Sequence, residues 1–364
     1  MKIIIKNLRL VSLVIVLSLI IISCDSNLST YDEKEKIYIY NWGLYIDEAT
    51  LDIFEKETGI KVIYDMFDTN EEMYAKLKSG NVKYDCICPS DYMIERMALE
   101  GMLHSYNLSK LPGYKNIDDK ILKLSTSFDY KNTYAIPYVY STIGIVYNKT
   151  LLDEKNLPYP NSWSDLWKEE YRDEILLQDA VRDLLMVALK KNKFSLNTKD
   201  KSEIEQARKD LISQKELLVN YVIDEVRDIM VSGSKSIGVT YSGEMEYIRS
   251  SNPDNEYVYV IPDEGTNMTI DSFVIPENAQ NKENAKKWIG FMLRPDISKM
   301  NYDYMHYGCP NVAVQKSLPF GELDDESIFP KLDNESLKKY EIYKYLGSEI
   351  EDLYLDVWKS VHNS

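Results

Sequence analysis

Downstream of residue 35 the apolar positions change period in a regular way. Lys36–Asn41 alternates apolar and polar like a strand; Asp47 caps a helix running to about Thr58, where Gly59 stops it. Ile60–Met66 reads as a second strand. Asn70 caps a second helix with Glu71 and Glu72 in its first turn, where the helix dipole favours acids, and Gly80 ends it. Tyr84–Cys88 is a third strand, followed by Pro89-Ser90-Asp91-Tyr92 and a helix to about Glu100. Strand and helix alternating through short links predict an α/β protein with a parallel sheet, and such sheets bind ligands beyond the carboxyl ends of their strands. Trp42–Tyr45 and Ser90–Tyr92 both fall at that edge.

The second half is patterned alike. Tyr134–Asn148 reads as two extended runs, and Ser162–Trp167 opens a helix-rich region. Ser236–Tyr241, Tyr257–Ile261 and Asp271–Ile275 read as strands, and Lys282–Leu293 as a helix stopping before Pro295. Glu341–Lys359 is the expected final helix. Lys190–Lys215 is charged and helical in propensity, a solvated face. No internal repeat is visible.

The N-terminus has a different pattern. Lys2, Lys6 and Arg9 precede Leu10–Ile22, which is apolar apart from Ser12 and Ser18. That is short for a membrane span and right for a signal peptide. It ends in Ile21-Ile22-Ser23-Cys24, which resembles the bacterial lipoprotein signal. Residues 1–23 are therefore expected to be removed, Cys24 to be acylated, and residues 24–36 to form a polar tether. An ordinary secretion signal, with Cys24 incidental, is the alternative.

Length and composition allow two domains with buried cores: 364 residues, 44% hydrophobic. The net charge of −16 argues against nucleic acid and anionic membrane as direct partners, because phosphates would be repelled, and mildly favours a cationic ligand. Three histidines in no metal-binding spacing, with no phosphate loop, GxGxxG or GxSxG, leave no catalytic signature, metal or cofactor to assign. Cys86 and Cys88 share a face of one strand; either could pair with Cys309 after export, but small core residues are the preferred reading.

The segments "YNWGLYI", "FEKETGIKVIYD", "NEEMYAKLKSG", "YDCICPSDYMIERM", "AIPYVYSTIGIVYN", "SWSDLWKEEY", "LLQDAVRD", "DSFVIPENAQNKENAKKWIGFMLRPDISK" and "YGCPNVAV" occur in that order. From about Ile37 to Trp358 the chain resembles the substrate-binding proteins of spermidine/putrescine ABC transporters. The resemblance implies a two-lobed periplasmic binding protein fold, with the ligand cleft between lobes joined by crossing strands. Lobe 1 would comprise 37–142 and 270–315, and lobe 2 143–269 and 316–364. It also implies a monomer, anchored by lipid on the periplasmic side of a bacterial membrane, that hands its ligand to a permease.

A polyamine needs flat apolar walls for its methylenes, π faces near its cations and carboxylates aimed at each ammonium. The stock of 29 tyrosines and 5 tryptophans suits such walls. The resemblance assigns Trp42 and Tyr45 as aromatic walls, with Gly43 permitting the turn after the strand. It assigns Ser90 and Tyr92 as hydroxyl partners and Asp271 as the central carboxylate; Asp91, between the hydroxyls, either faces the cleft or caps its helix. Asp183 matches an acid, Tyr241 stands where the family has Trp, Glu244 follows where putrescine-preferring members carry an acid, and Tyr307 matches a tyrosine near the cleft.

The chain departs from the family at Ala180, which replaces an acid that Asp179 might replace in function, and at Thr269, which replaces a Trp. It departs again at Lys344, which would repel an ammonium or shorten the pocket. Together these lean toward a diamine. Trp163, Trp167 and Trp288 match core positions. Three other readings stand: a binding protein for another ligand (a cationic amino acid, thiamine or a sugar), an enzyme on the same scaffold, and a surface adhesin.

Overall fold

The computed structural model describes residues 35–217 and 219–364. The expected signal peptide, Cys24 and all but the end of the tether lie outside the described residues. Among the described residues no helix is long and apolar enough to cross a membrane.

A three-stranded parallel sheet carries β1 (Lys36–Trp42) at its centre, between β2 (Lys61–Phe67) and β3 (Cys86–Ile87). The helix Ala49–Thr58 between β1 and β2 stops where expected, but its N-cap is Glu48, one residue after the expected Asp47. Asp47 Oδ1 accepts from the Ala49 N–H at 3.0 Å, and Gly59 closes the helix with φ 70°. Its buried Phe54 packs edge-on against Trp288 with ring centroids 5.1 Å apart. At the next helix, Asn70–Lys78, the cap is Thr69 and not Asn70. Thr69 Oγ1 accepts from the Glu72 N–H, which frees Asn70 Oδ1 to accept from the Ser90 N–H at 3.1 Å.

The larger sheet comprises β4 (Ile136–Asn148), β5 (Ile175–Gln178), β6 (Asn220–Val222), β7 (Ile237–Tyr241), β8 (Tyr257–Val260), β9 (Thr266–Phe273) and β10 (Tyr340–Glu341). Its order is β10-β9-β4-β7-β5-β6, with β8 also on β4. The expected parallel pairing holds for β5 with β6 and β7, while β4 runs antiparallel to β7, β8 and β9.

The two extended runs expected over Tyr134–Asn148 form one strand of 13 residues, buried throughout, with a register irregularity between Pro137 and Val139. A strand covered on both faces has no polar side to alternate, so its continuity leaves no period-2 trace. Its first half pairs with β9 and its second half with β7 and β8. Ile136 and Val139 pack with Ile37, Ile39 and Trp288, whereas Ile143 and Ile145 pack with Trp163 and Leu166. One strand thus runs through two apolar cores, as a crossing strand does. β9 accompanies it: Phe273 lies in the first core, and Met268 and Ile270 in the second.

Trp163 and Trp288 are fully buried, and half-buried Trp167 donates from Nε1 to the Asp210 carbonyl at 2.8 Å. Cys86, Cys88 and Cys309 are buried free thiols, so the core reading holds over the disulfide. The final helix spans Ser348–Asn363 and starts later than expected, because Gly347 at φ 88° separates it from β10.

Candidate functional site

A cleft of about 990 Å³, counted out to its open mouth, lies where β1 and β7 end and where β9 passes with Asn267, Thr269 and Asp271. Nine of the ten residues assigned from the sequence line it: Trp42, Tyr45, Ser90, Tyr92, Asp183, Tyr241, Glu244, Asp271 and Tyr307. One wall is a run of aromatic rings. Trp42 lies 4.4 Å from Phe67 and 6.4 Å from Tyr45 between centroids, and Tyr45 meets Tyr307 edge-on at 5.4 Å. The turn leading into this wall is made by Leu44 at φ 55°, not by Gly43. A Cβ on Gly43 would only touch Asp224 Oδ2 at 3.9 Å.

Of the carboxylates along the cleft, four accept from tyrosine hydroxyls. Tyr45 Oη donates to Asp271 Oδ2 at 2.6 Å. Tyr241 Oη donates to Asp183 Oδ2 at 2.6 Å, and Tyr343 Oη to Asp183 Oδ1 at 2.9 Å. Tyr307 Oη donates to Glu244 Oε1 at 2.7 Å, and Arg227 Nη1 lies 3.4 Å from Glu244 Oε2. Gly243 makes room for this arrangement, since a Cβ there would sit 2.1 Å from the Tyr307 ring. Tyr92 Oη donates to Glu71 Oε1 at 2.8 Å.

Asp271 and Asp183 are both buried, and burial raises both carboxyls above the ordinary range. The Tyr45, Ser90 and Thr269 hydroxyls draw Asp271 back down, and Tyr241 and Tyr343 do so for Asp183. At the mouth, crowding by protein and then by Glu244 pushes Asp224 up to about 6. Overall six carboxylates line the cleft (Asp68, Glu71, Asp183, Asp224, Glu244 and Asp271) against two guanidiniums, Arg182 and Arg227. The excess is a field for a cation. Trp42 Nε1 and Ser141 Oγ also line the cleft and have no hydrogen-bond partner among the described residues.

Three further sequence expectations are corrected, at Asp91, Asp179 and Lys344, while Thr269 stands in place of a ring as expected. Asp91 does not line the cleft; it is fully buried at a helix start, where its Oδ1 accepts from the Tyr92 N–H at 2.7 Å. Asp179 does not stand in for Ala180, because its carbonyl and Oδ1 accept from Trp358 Nε1 and its carboxylate pairs with His362. Thr269 lines the cleft with a hydroxyl 3.4 Å from Asp271 Oδ1. Lys344 points away, its Nζ donating to the Ser127 carbonyl, and its neighbour Tyr343 enters the cleft instead. Tyr343, Asp224 and Arg227 were not found from the sequence because none lies in a segment with a recognisable pattern, and Ser141 because nothing within its fully buried strand singles it out.

The chain matches the model of the bacterial extracellular solute-binding proteins over residues 49–323. It belongs to that family. The family is one of transport proteins that bind solutes, not of enzymes. Relatives of this solute-binding protein include the spermidine/putrescine-binding periplasmic protein of Escherichia coli strain K12. The two are 36% identical over 318 residues, 87% of this chain and 89% of that one. The putrescine-binding periplasmic protein PotF of the same organism is 30% identical, covering 83% and 85%. Among solved structures, a putative spermidine/putrescine ABC transporter protein from Listeria monocytogenes superposes with a TM-score of 0.82 at 37% identity. It covers 90% of this chain and 99% of that one. The two-lobed α/β binding-protein fold expected from the sequence is therefore that of this solute-binding protein.

Proposed function

We propose that this protein is the extracytoplasmic polyamine-binding component of an ABC transporter, capturing putrescine or spermidine for a membrane permease. The observation that carries the reading is the set of three carboxylates, Asp271, Asp183 and Glu244, each oriented by tyrosine hydroxyls in an aromatic-walled cleft. A diammonium chain finds acceptors for its N–H groups there and rings for its methylenes. Each charged hydrogen bond contributes about 1.5–3 kcal/mol. Two or three of them, together with cation–π contacts of about 0.5–2 kcal/mol each, bring micromolar affinity within reach. Tyr343 occupies Asp183 and Arg182 stands beside it, which shortens that end and favours a diamine over a triamine. Lobes of 37–142 with 270–315, and of 143–269 with 316–364, would close over the ligand and expel water, strengthening each contact.

Calorimetry with putrescine, cadaverine, spermidine and spermine, on protein lacking residues 1–23, tests this. Micromolar or tighter binding of at least one polyamine is expected, putrescine ahead of spermidine, with a smaller radius of gyration in solution scattering once bound. No heat from any of the four overturns the polyamine reading and returns the question to another ligand or an adhesin.

The periplasmic names of the relatives support a working compartment outside the cytoplasm. The lipid anchor rests on the sequence around Cys24. Cys24→Ala is expected to move the protein from the membrane fraction to the soluble fraction of cells; a wild-type protein that is already soluble rules the anchor out.

A further inference from the structure

One side of the cleft is a face of the paired strands β4 and β9. Val139 stands opposite Asp271, and Ser141 opposite Thr269. Residues two apart on a strand share a face, so Asp271, Thr269 and Asn267 follow one another along β9 with Ser141 beside Thr269. At about 3.3 Å per residue, Ser141 lies about 7 Å and Asn267 about 13 Å along the strands from the level of Asp271. Ser141, Asn267, Thr269 and Asp271 all line the cleft. The Ile143 N–H donates to Asn267 Oδ1 at 3.1 Å, and Ile143 pairs on its other side with Tyr241, whose hydroxyl holds Asp183. The row thus leads from Asp271 to the level of Tyr241, a short alkyl chain away.

Two side chains in this row are polar, buried and uncommitted. Asn267 and Ser141 are each 1% exposed, and Asn267 Nδ2 and Ser141 Oγ have no hydrogen-bond partner among the described residues. The Ile143 N–H needs an acceptor, which fixes the Asn267 amide with its oxygen on β4. What Asn267 has left to offer is therefore an N–H donor. The carboxylate near that level is already served, since Asp183 accepts from both Tyr241 and Tyr343, and its neighbour Arg182 lines the cleft as a cation. An ammonium has hydrogens to give but no lone pair, so it cannot satisfy an amide N–H; an amide or hydroxyl oxygen can. Leaving one buried donor unserved costs about tenfold to a hundredfold in affinity.

We infer that Asn267 and Ser141 form a subsite for a neutral oxygen, so that the protein also takes a diamine acylated on one nitrogen. Its free ammonium would dock on Asp271, and its amide oxygen would accept from Asn267 Nδ2 and Ser141 Oγ. The inference rests on the polyamine reading, in which Asp271 anchors an ammonium. The acylated end carries no charge, so it does not oppose Arg182.

Calorimetry with putrescine and with N-acetylputrescine, on protein lacking residues 1–23, tests this. In a cleft that recognises cations alone, acetylation forfeits the charged hydrogen bonds of one ammonium, each worth about tenfold to a hundredfold. The wild type should instead bind N-acetylputrescine within about tenfold of putrescine, or tighter. A greater loss overturns the inference and leaves the diamine reading standing. Binding of N-acetylputrescine alone upholds the inference and strikes the reading of putrescine as ligand, whereas silence toward both overturns the two together.

Asn267→Asp keeps an oxygen for the Ile143 N–H and exchanges the donor for a carboxylate. It should shift the preference toward putrescine by about tenfold or more relative to wild type. An unchanged preference in a folded variant overturns the inference. Should that variant not fold, Ser141→Ala decides. It should weaken N-acetylputrescine severalfold and leave putrescine within about twofold. Equal effects on the two ligands overturn the inference.

Discussion

Asp271→Asn is expected to weaken putrescine binding by between about thirtyfold and several thousandfold while leaving the protein at least as stable. The carboxylate is buried, and Tyr45 Oη donates to its Oδ2 at 2.6 Å. The amide can keep that bond through its oxygen, so the local shape survives. What disappears is the charge opposite the ammonium. Removing one partner of a buried, hydrogen-bonded charge pair costs about 2–5 kcal/mol, and each 1.4 kcal/mol is about tenfold in affinity. In the empty protein the balance runs the other way. Burial already disfavours the ionised form of Asp271, so the neutral amide relieves a desolvation cost. Calorimetry and a thermal melt on the same sample separate the two effects. Affinity within about threefold of wild type would remove Asp271 from the centre of the site. A large fall in Tm would make the residue a structural one instead.

Much of this site was readable before the structure because it sits on elements with strong local signals. Trp42 and Tyr45 follow a strand whose alternation is plain, and Ser90 and Tyr92 follow the next short link. Each is delivered to the cleft by short-range patterning that chain position alone reveals. Asp271 lies in a strand whose preceding residues, Asn267–Ile270, alternate polar and apolar over only two apolar positions, Met268 and Ile270, too short a run to stand out. The sequence marked that strand only from Asp271 onward.

Residues missed by the sequence reading reach the cleft by tertiary packing. Tyr343 arrives from an irregular segment beyond β10, and its pairing with Asp183 spans 160 residues of chain. Asp91 shows the opposite failure. Its position beside two cleft residues is local information, but whether it faces inward or caps a helix depends on how the helix packs on β9. Lys344 and Tyr343 are neighbours, and in a segment without period nothing local says which of the two turns to the cleft.

Arg182→Met should produce the largest loss of stability. The guanidinium is 3% exposed and serves four acceptors: the Lys344 and Leu196 carbonyls, Asn197 Oδ1 and Glu351 Oε1, at 3.0–3.3 Å. Its Cζ also lies 4.7 Å from the Tyr343 ring centre and 5.2 Å from those of Tyr92 and Tyr354. It therefore ties the helix that carries Asp183 to the final helix, Ser348–Asn363, and to the tyrosine that holds Asp183. Methionine fills much of the space but leaves Glu351 without its cation and the carbonyls without donors. Breaking a buried pair in this way costs about 3–5 kcal/mol, to be read from the shift in a urea midpoint at constant slope. Ligand affinity should fall too, because Arg182 helps to keep Asp183 ionised. Adding Glu351→Gln should recover part of the stability, since it removes the stranded charge, but not the affinity, since Asp183 still lacks its neighbour. A loss below about 1 kcal/mol in the single variant would place Arg182 among the ordinary surface ion pairs, and the link from the cleft floor to the last helix would have to run through Tyr343 alone.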